Sequence, residues 1–187
     1  MGGRKLADIQ ASDKDLTMAI HALIPPIMMV VLTLALLAVI VVDATHYIIP
    51  NTLNLALLAM TMLAMVWLPF VPLTALAAAG LVLAVGLCLF ALGLMGGGDV
   101  KLLAVLTLWT GWSIATIQFL FLTAIAGGVL VVIILLLRAI VPPILFRSDP
   151  ARVIPDLFMR GKPVPYGLAI AAGFLWMLWM GLVPVLR

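Results

Sequence analysis

The chain has 187 residues, of which 66% are hydrophobic and 9% charged, and its mean hydropathy is +1.36. Soluble domains hold about 45–50% apolar and about 25% charged residues, so this composition excludes one and points to a membrane protein with no room for a second domain. The formal charge of +3 comes from ten Lys and Arg spread over termini and loops. They form no basic face interleaved with aromatics, so no nucleic-acid partner is expected.

Residues 1–23 carry Arg4, Lys5, Asp8, Asp13, Lys14 and Asp15 among apolar residues. They read as an interfacial helix or tail without chemistry, followed by a membrane domain over 24–187. Apolar runs long enough to cross a bilayer recur from there on, predicting six transmembrane helices over 24–42, 53–69, 73–95, 100–117, 119–141 and 165–186. The fold class is therefore all-α, a polytopic membrane helix bundle. The first run ends at an Asp with no small-residue cleavage site, so it reads as a retained helix, not a secretory signal. Pro25 and Pro26 suit the first turn of that helix, and Pro69 with Pro72 punctuates the turn after the second. Cys88 is the single cysteine and lies in an apolar run, which rules out an internal disulfide and a cysteine-cluster zinc site.

Sorting the cations by alternate sides sets Lys101, Arg138, Arg147, Arg152, Arg160 and Lys162 against Arg4, Lys5, Lys14 and Arg187. The positive-inside tendency then puts the loops after helices one, three and five in the cytoplasm. Trp67, Trp109 and Trp112 fall at the opposite ends of their helices, where an interfacial aromatic belt is expected.

All seven acidic residues are Asp, and Asp8, Asp13, Asp15, Asp149 and Asp156 fall in polar segments. Asp43 and Asp99 do not. Asp43 closes the first apolar run, and Asp99 follows Gly96, Gly97 and Gly98 at the start of the fourth. A carboxylate at membrane depth costs about 2.5–3.5 kcal/mol on insertion scales, which makes each a functional candidate. Helices two and three leave and return, so the end of helix one and the start of helix four share one face. Taken singly, Asp43 reads equally as an interfacial helix end and Asp99 as a cap of helix four. Taken together they form a pair that cannot easily ionise twice, in which one acid stays protonated while the other activates water. Such chemistry needs no cofactor and no metal. Helix polarity favours the anion at Asp99 and the neutral acid at Asp43. The three glycines permit positive φ and a close approach of backbone, leaving room for an extended substrate strand beside Asp99.

The string GGGDVKLLA, Gly96 to Ala104, resembles the GxGD motif of intramembrane aspartyl proteases in the form carried by type IV prepilin peptidases. Asp43 followed by Ile49, Pro50 and Asn51 is similar to that family's first aspartate with its IPN, and Val164, Pro165, Tyr166 and Gly167 resemble its closing motif. The resemblance implies removal of the leader from pilin-like precursor proteins at the cytoplasmic face of a bacterial or archaeal membrane, with Asp43 and Asp99 catalytic. The large cysteine-bearing insertion of many bacterial members is missing. The chain thus resembles the short members serving tight-adherence (Flp) pili or the archaeal preflagellin peptidases, and N-methyltransferase activity is not implied.

Around the pair, Lys101 steadies the dyad, meets an acidic substrate residue or anchors the topology. His46 and Tyr47 either line the entrance or sit at the interface, and Asn51 is expected to cap helix two. The Pro- and Arg-rich segment 142–164 meets lipid headgroups or closes over the site. Two readings of other classes stay open: a small ion- or proton-coupled transporter using the paired carboxylates, and a non-catalytic scaffold of a pilus or secretion assembly.

Overall fold

A computed structural model describes residues 2–145 and 164–186. Among these are six α-helices and no strand: α1 (Gly2–His46), α2 (Asn51–Trp67), α3 (Pro72–Ala91), α4 (Gly97–Thr110), α5 (Ile114–Leu145) and α6 (Tyr166–Trp179), followed by a 3-10 turn over Pro184–Leu186. The all-α membrane bundle expected from the sequence is what folds. Three of the helices contain stretches long and apolar enough to cross a bilayer, His21–His46, Pro72–Ala91 and Ile114–Ile140, while α2 and α6 are shorter apolar helices.

The bundle is arranged around α4. All its residues from Asp99 to Thr110 except Lys101 are buried, and α2, α3, α5 and α6 pack against it. Apart from Lys101, buried positions fall on every side of it, which is the mark of a helix at the centre of the bundle. On the outer helices the buried positions recur at helical spacing. Leu32, Leu36, Val39 and Asp43 form one stripe on α1, which packs on α6, and Asn54, Leu57, Thr61 and Ala64 form another on α2. The remaining faces of α1, α3 and α5 leave Leu34, Val41, Leu73, Leu81, Ile117 and Phe121 exposed. This is the surface that a hydrocarbon environment covers. Small residues let the inner helices close up: Ala75, Ala78, Ala79 and Gly86 of α3 are buried, and a Cβ at Gly86 would lie 2.6 Å from Val100 Cγ1. Phe119 and Phe174 meet edge to face with centroids 5.2 Å apart where α5 joins α6.

Several expectations need correction. Pro25 and Pro26 lie inside α1, which continues unbroken from Gly2, and not in its first turn. Both prolines lack an N–H, so the carbonyls of His21 and Ala22 have no helical donor there. The fourth helix ends at Thr110 and not at residue 117, because Gly111 adopts φ 61 and its amide returns to the Thr107 carbonyl at 2.9 Å. Ser113 then accepts from the Ala115 amide and opens α5. Trp109 is no belt residue. It is fully buried, donates Nε1–H to Thr61 Oγ1 at 2.9 Å and packs edge-on against Phe70, whereas Trp67 and Trp112 are exposed. Of the Pro- and Arg-rich segment, residues 146–163 lie outside the described residues, with Arg147, Arg152, Arg160 and Lys162 among them.

Candidate active site

Asp43 stands in the last turn of α1, as the final member of its buried stripe, and is 2% exposed. Asp99 stands in the first turn of α4 and is 9% exposed. Both line one cleft of about 580 Å³. The other residues lining it are Tyr47, Ile48, Ile49, the run Gly93 to Gly98, Val164 and Tyr166, so among the described residues no third acid, histidine or cysteine enters. The two carboxylates that stood 56 positions apart in the sequence therefore share a site.

Backbone amides face both aspartates. The amide of Leu168 donates to Asp43 Oδ2 at 3.0 Å, with the Gly167 amide beside it. These belong to the first turn of α6, where N–H groups have no partner in their own helix. Gly167 makes this approach possible: a Cβ there would lie 2.9 Å from Asp43 Oδ2 and 2.5 Å from Ile49 Cδ1. Asp99 is the third helical residue after the N-cap Gly96, and its carboxylate faces the Gly96 amide, which is the back-reaching arm of a capping box. Both carboxylates thus face a helix N-terminus. The contrast in helix polarity that set Asp43 apart as the neutral acid is absent, because α6 brings its positive end to the place where α1 brings its negative one.

The triple glycine acts through its lack of side chains. None of Gly96, Gly97 and Gly98 has positive φ; in this loop that conformation belongs to Gly93, at φ 71. A Cβ on Gly96 would lie 2.7 Å from Asp99 Oδ2, and one on Gly98 would lie 3.1 Å from both Cβ and the carbonyl oxygen of Ile49. Close approach is realised, and left-handed freedom is not used.

The remaining candidates divide. Tyr166 lines the cleft, Pro165 is the buried N-cap position of α6, and Gly167 contacts Asp43. Pro50 is the exposed N-cap position of α2 and makes no side-chain cap. Asn51, expected to cap α2, lies in its first turn instead, where its Oδ1 accepts from Lys101 Nζ at 2.7 Å. Lys101 accordingly turns away from the cleft, since two residues along a helix is about 200° of rotation, and it lines a separate groove with Asn51 and Asn54. Tyr47 lines the cleft with φ 55, an unusual value for a bulky residue, and gives α1 a sharp exit. His46 is exposed and bonded to Thr45. Sequence reasoning missed Asn54, buried on α2, whose Nδ2 donates to the Gly98 carbonyl at 3.1 Å. Its polarity within an apolar helix was the available signal.

Residues 30–132 match the model of the type IV leader peptidase family. That is more than half of the chain and includes both aspartates. The chain belongs to the type IV leader peptidase family. Comparison with curated proteins and with solved structures finds no match. The family match ends before α6, yet this leader peptidase homologue places the Val164 to Gly167 segment against Asp43 all the same.

Proposed function

We propose that this family member is a membrane aspartyl endopeptidase that removes the leader peptide from pilin-like precursors of the Flp type, with Asp43 and Asp99 as its catalytic dyad. The observation that carries the reading is the shared cleft: its only two acids among the described residues come from the ends of two different helices, at a point where glycines clear the approach. The membrane domain over 24–187 houses this activity.

In the proposed reaction the dyad holds one proton. The ionised aspartate takes a proton from water as the water oxygen bonds to the scissile carbonyl carbon, and the protonated one gives its proton to the carbonyl oxygen. Asp43 Oδ2 is engaged by Leu168, so Oδ1 is the Asp43 oxygen free to take part. Collapse of the tetrahedral diol breaks the C–N bond, the aspartate that took the proton passes it to the leaving nitrogen, and the diol returns one to the other aspartate. No metal is required. The substrate runs extended past Gly96, where nothing but Asp99 occupies the space of a side chain, and its apolar segment lies in the bilayer against the bundle.

The larger number of cations on the side of Lys101 favours a cleft facing the cytoplasm, in a bacterial or archaeal cytoplasmic membrane. Membrane lipid and precursor are the partners in this reading. Cys88, the single cysteine of this sequence and exposed on α3, leaves no paired CxxC motif in it, which favours a peptidase of the Flp or preflagellin kind without methyltransferase activity. The test is purified protein incubated with a panel of leader-bearing pilins, beside the double Asp43→Asn, Asp99→Asn variant. Cleavage by the wild type alone is the expected result. Equal cleavage by both proteins, or none by either, overturns the reading.

A further inference from the structure

Two asparagines of α2 reach the first turn of α4. Asn51 Oδ1 accepts from Lys101 Nζ at 2.7 Å, and Asn54 Nδ2 donates to the carbonyl of Gly98 at 3.1 Å. Asn51 and Asn54 are three residues apart on one helix, as Gly98 and Lys101 are on the other, so each pair lies along one face. Asp99 sits between the two tied positions in sequence, and its side chain points elsewhere, into the cleft. Neither asparagine lines that cleft.

Packing alone does not account for Asn54. It is 4% exposed, and its Oδ1 is buried without a partner. A leucine there would fill a similar space and leave no orphan acceptor, so the side chain is present for what its Nδ2 does. What it does falls on a weak point. Gly97 and Gly98 are poor helix formers, and a helix opening on two glycines frays unless held from outside. Asn54 holds Gly98 at its carbonyl, and Ile49 lies close on another side, its Cβ and carbonyl oxygen 3.1 Å from where a Cβ of Gly98 would be.

We propose that Asn54 is a positioning residue of the peptidase: by gripping the Gly98 carbonyl it holds the first turn of α4 at the rotation that keeps Asp99 in the cleft with Asp43, and the Asn51–Lys101 pair secures the same turn one step further on. The inference rests on the catalytic reading of the two aspartates.

The experiment uses the full-length protein in detergent micelles and compares Asn54→Leu with Thr61→Val. The latter removes a buried polar side chain from the same stripe of α2 but lies far from the glycines. Two quantities are read: kcat and KM for cleavage of a pilin-like precursor, and amide hydrogen exchange over residues 97–103. For Asn54→Leu, kcat falls about 10- to 100-fold with KM within about twofold, since a displacement of an ångström suffices for such a loss. Exchange in the first turn of α4 speeds up while that of α5 and α6 is unchanged. Asn54→Gln, which keeps the amide donor, recovers part of the kcat, and Thr61→Val lowers thermal stability with kcat near wild type. Wild-type exchange and kcat in Asn54→Leu overturn the inference, as do parallel losses of kcat in both variants. If the wild type cleaves no precursor, the catalytic reading fails by itself, while unaltered exchange in Asn54→Leu still refutes the grip on Gly98.

Discussion

The amide of Leu168 donates to Asp43 Oδ2 at 3.0 Å across 125 positions of sequence. This contact joins the first turn of α6 to the last turn of α1, and it depends on Gly167, where a methyl group would lie 2.9 Å from that same oxygen and 2.5 Å from Ile49 Cδ1. Replacing Gly167 by Ala is expected to lower precursor cleavage by about 10- to 100-fold through displacement of Asp43. Gly128→Ala, at a position with nothing within 4 Å, serves as the control and stays within about twofold. Initial rates of leader removal by both variants check this.

Asp43→Asn and Asp99→Asn remove the acid and base of the proposed reaction one at a time. Each is expected to reduce cleavage by at least about 10²- to 10⁴-fold, the usual contribution of a positioned acid or base. Helical content should match wild type by circular dichroism. Near-normal activity in Asp99→Asn would sink the assignment of the dyad.

A dyad sharing one proton works only between its two ionisations. With both carboxyls protonated there is no base, so activity falls on the acid side; with both ionised there is no acid, so it falls on the alkaline side. A plot of kcat against pH is therefore expected to be bell-shaped, with limbs belonging to the pair and not to either residue. A single sigmoid would count against shared titration. Chelators are expected to leave the rate unchanged throughout.

Trp109 and Thr61 tie α2 to α4 at the end remote from the aspartates. Trp109→Phe deletes the donor while keeping an aromatic ring against Phe70. The loss of one buried hydrogen bond is expected to cost about 1 kcal/mol, seen as a lower unfolding temperature with kcat little changed.

Legibility in the sequence followed the cost of burying charge. Asp43 and Asp99 were visible because an acid in an apolar run needs a reason, and the helices were visible because apolar runs have lengths. Faces were not. On a helix that is apolar all round, periodicity cannot tell lipid from protein, which is why Trp109 reads as a belt residue and why the central place of α4 was hidden. Local stops were also obscure: Gly111 ends α4 through its positive φ, in a stretch where hydropathy continues. Asn51 passes for a cap because asparagine favours caps, and only the approach of Lys101 gives it another partner.

The brevity of α4 bears on how water reaches a peptide bond at a membrane. Its 14 residues span about 21 Å, short of a hydrocarbon layer of about 30 Å. Because α4 is enclosed by α2, α3, α5 and α6, the shortfall falls inside the protein and not against lipid, so a recess at the end of such a helix can hold water without the water crossing hydrocarbon. On this arrangement the path of the co-substrate is set by the lengths of the protein's own helices and not by the thickness of the surrounding leaflet.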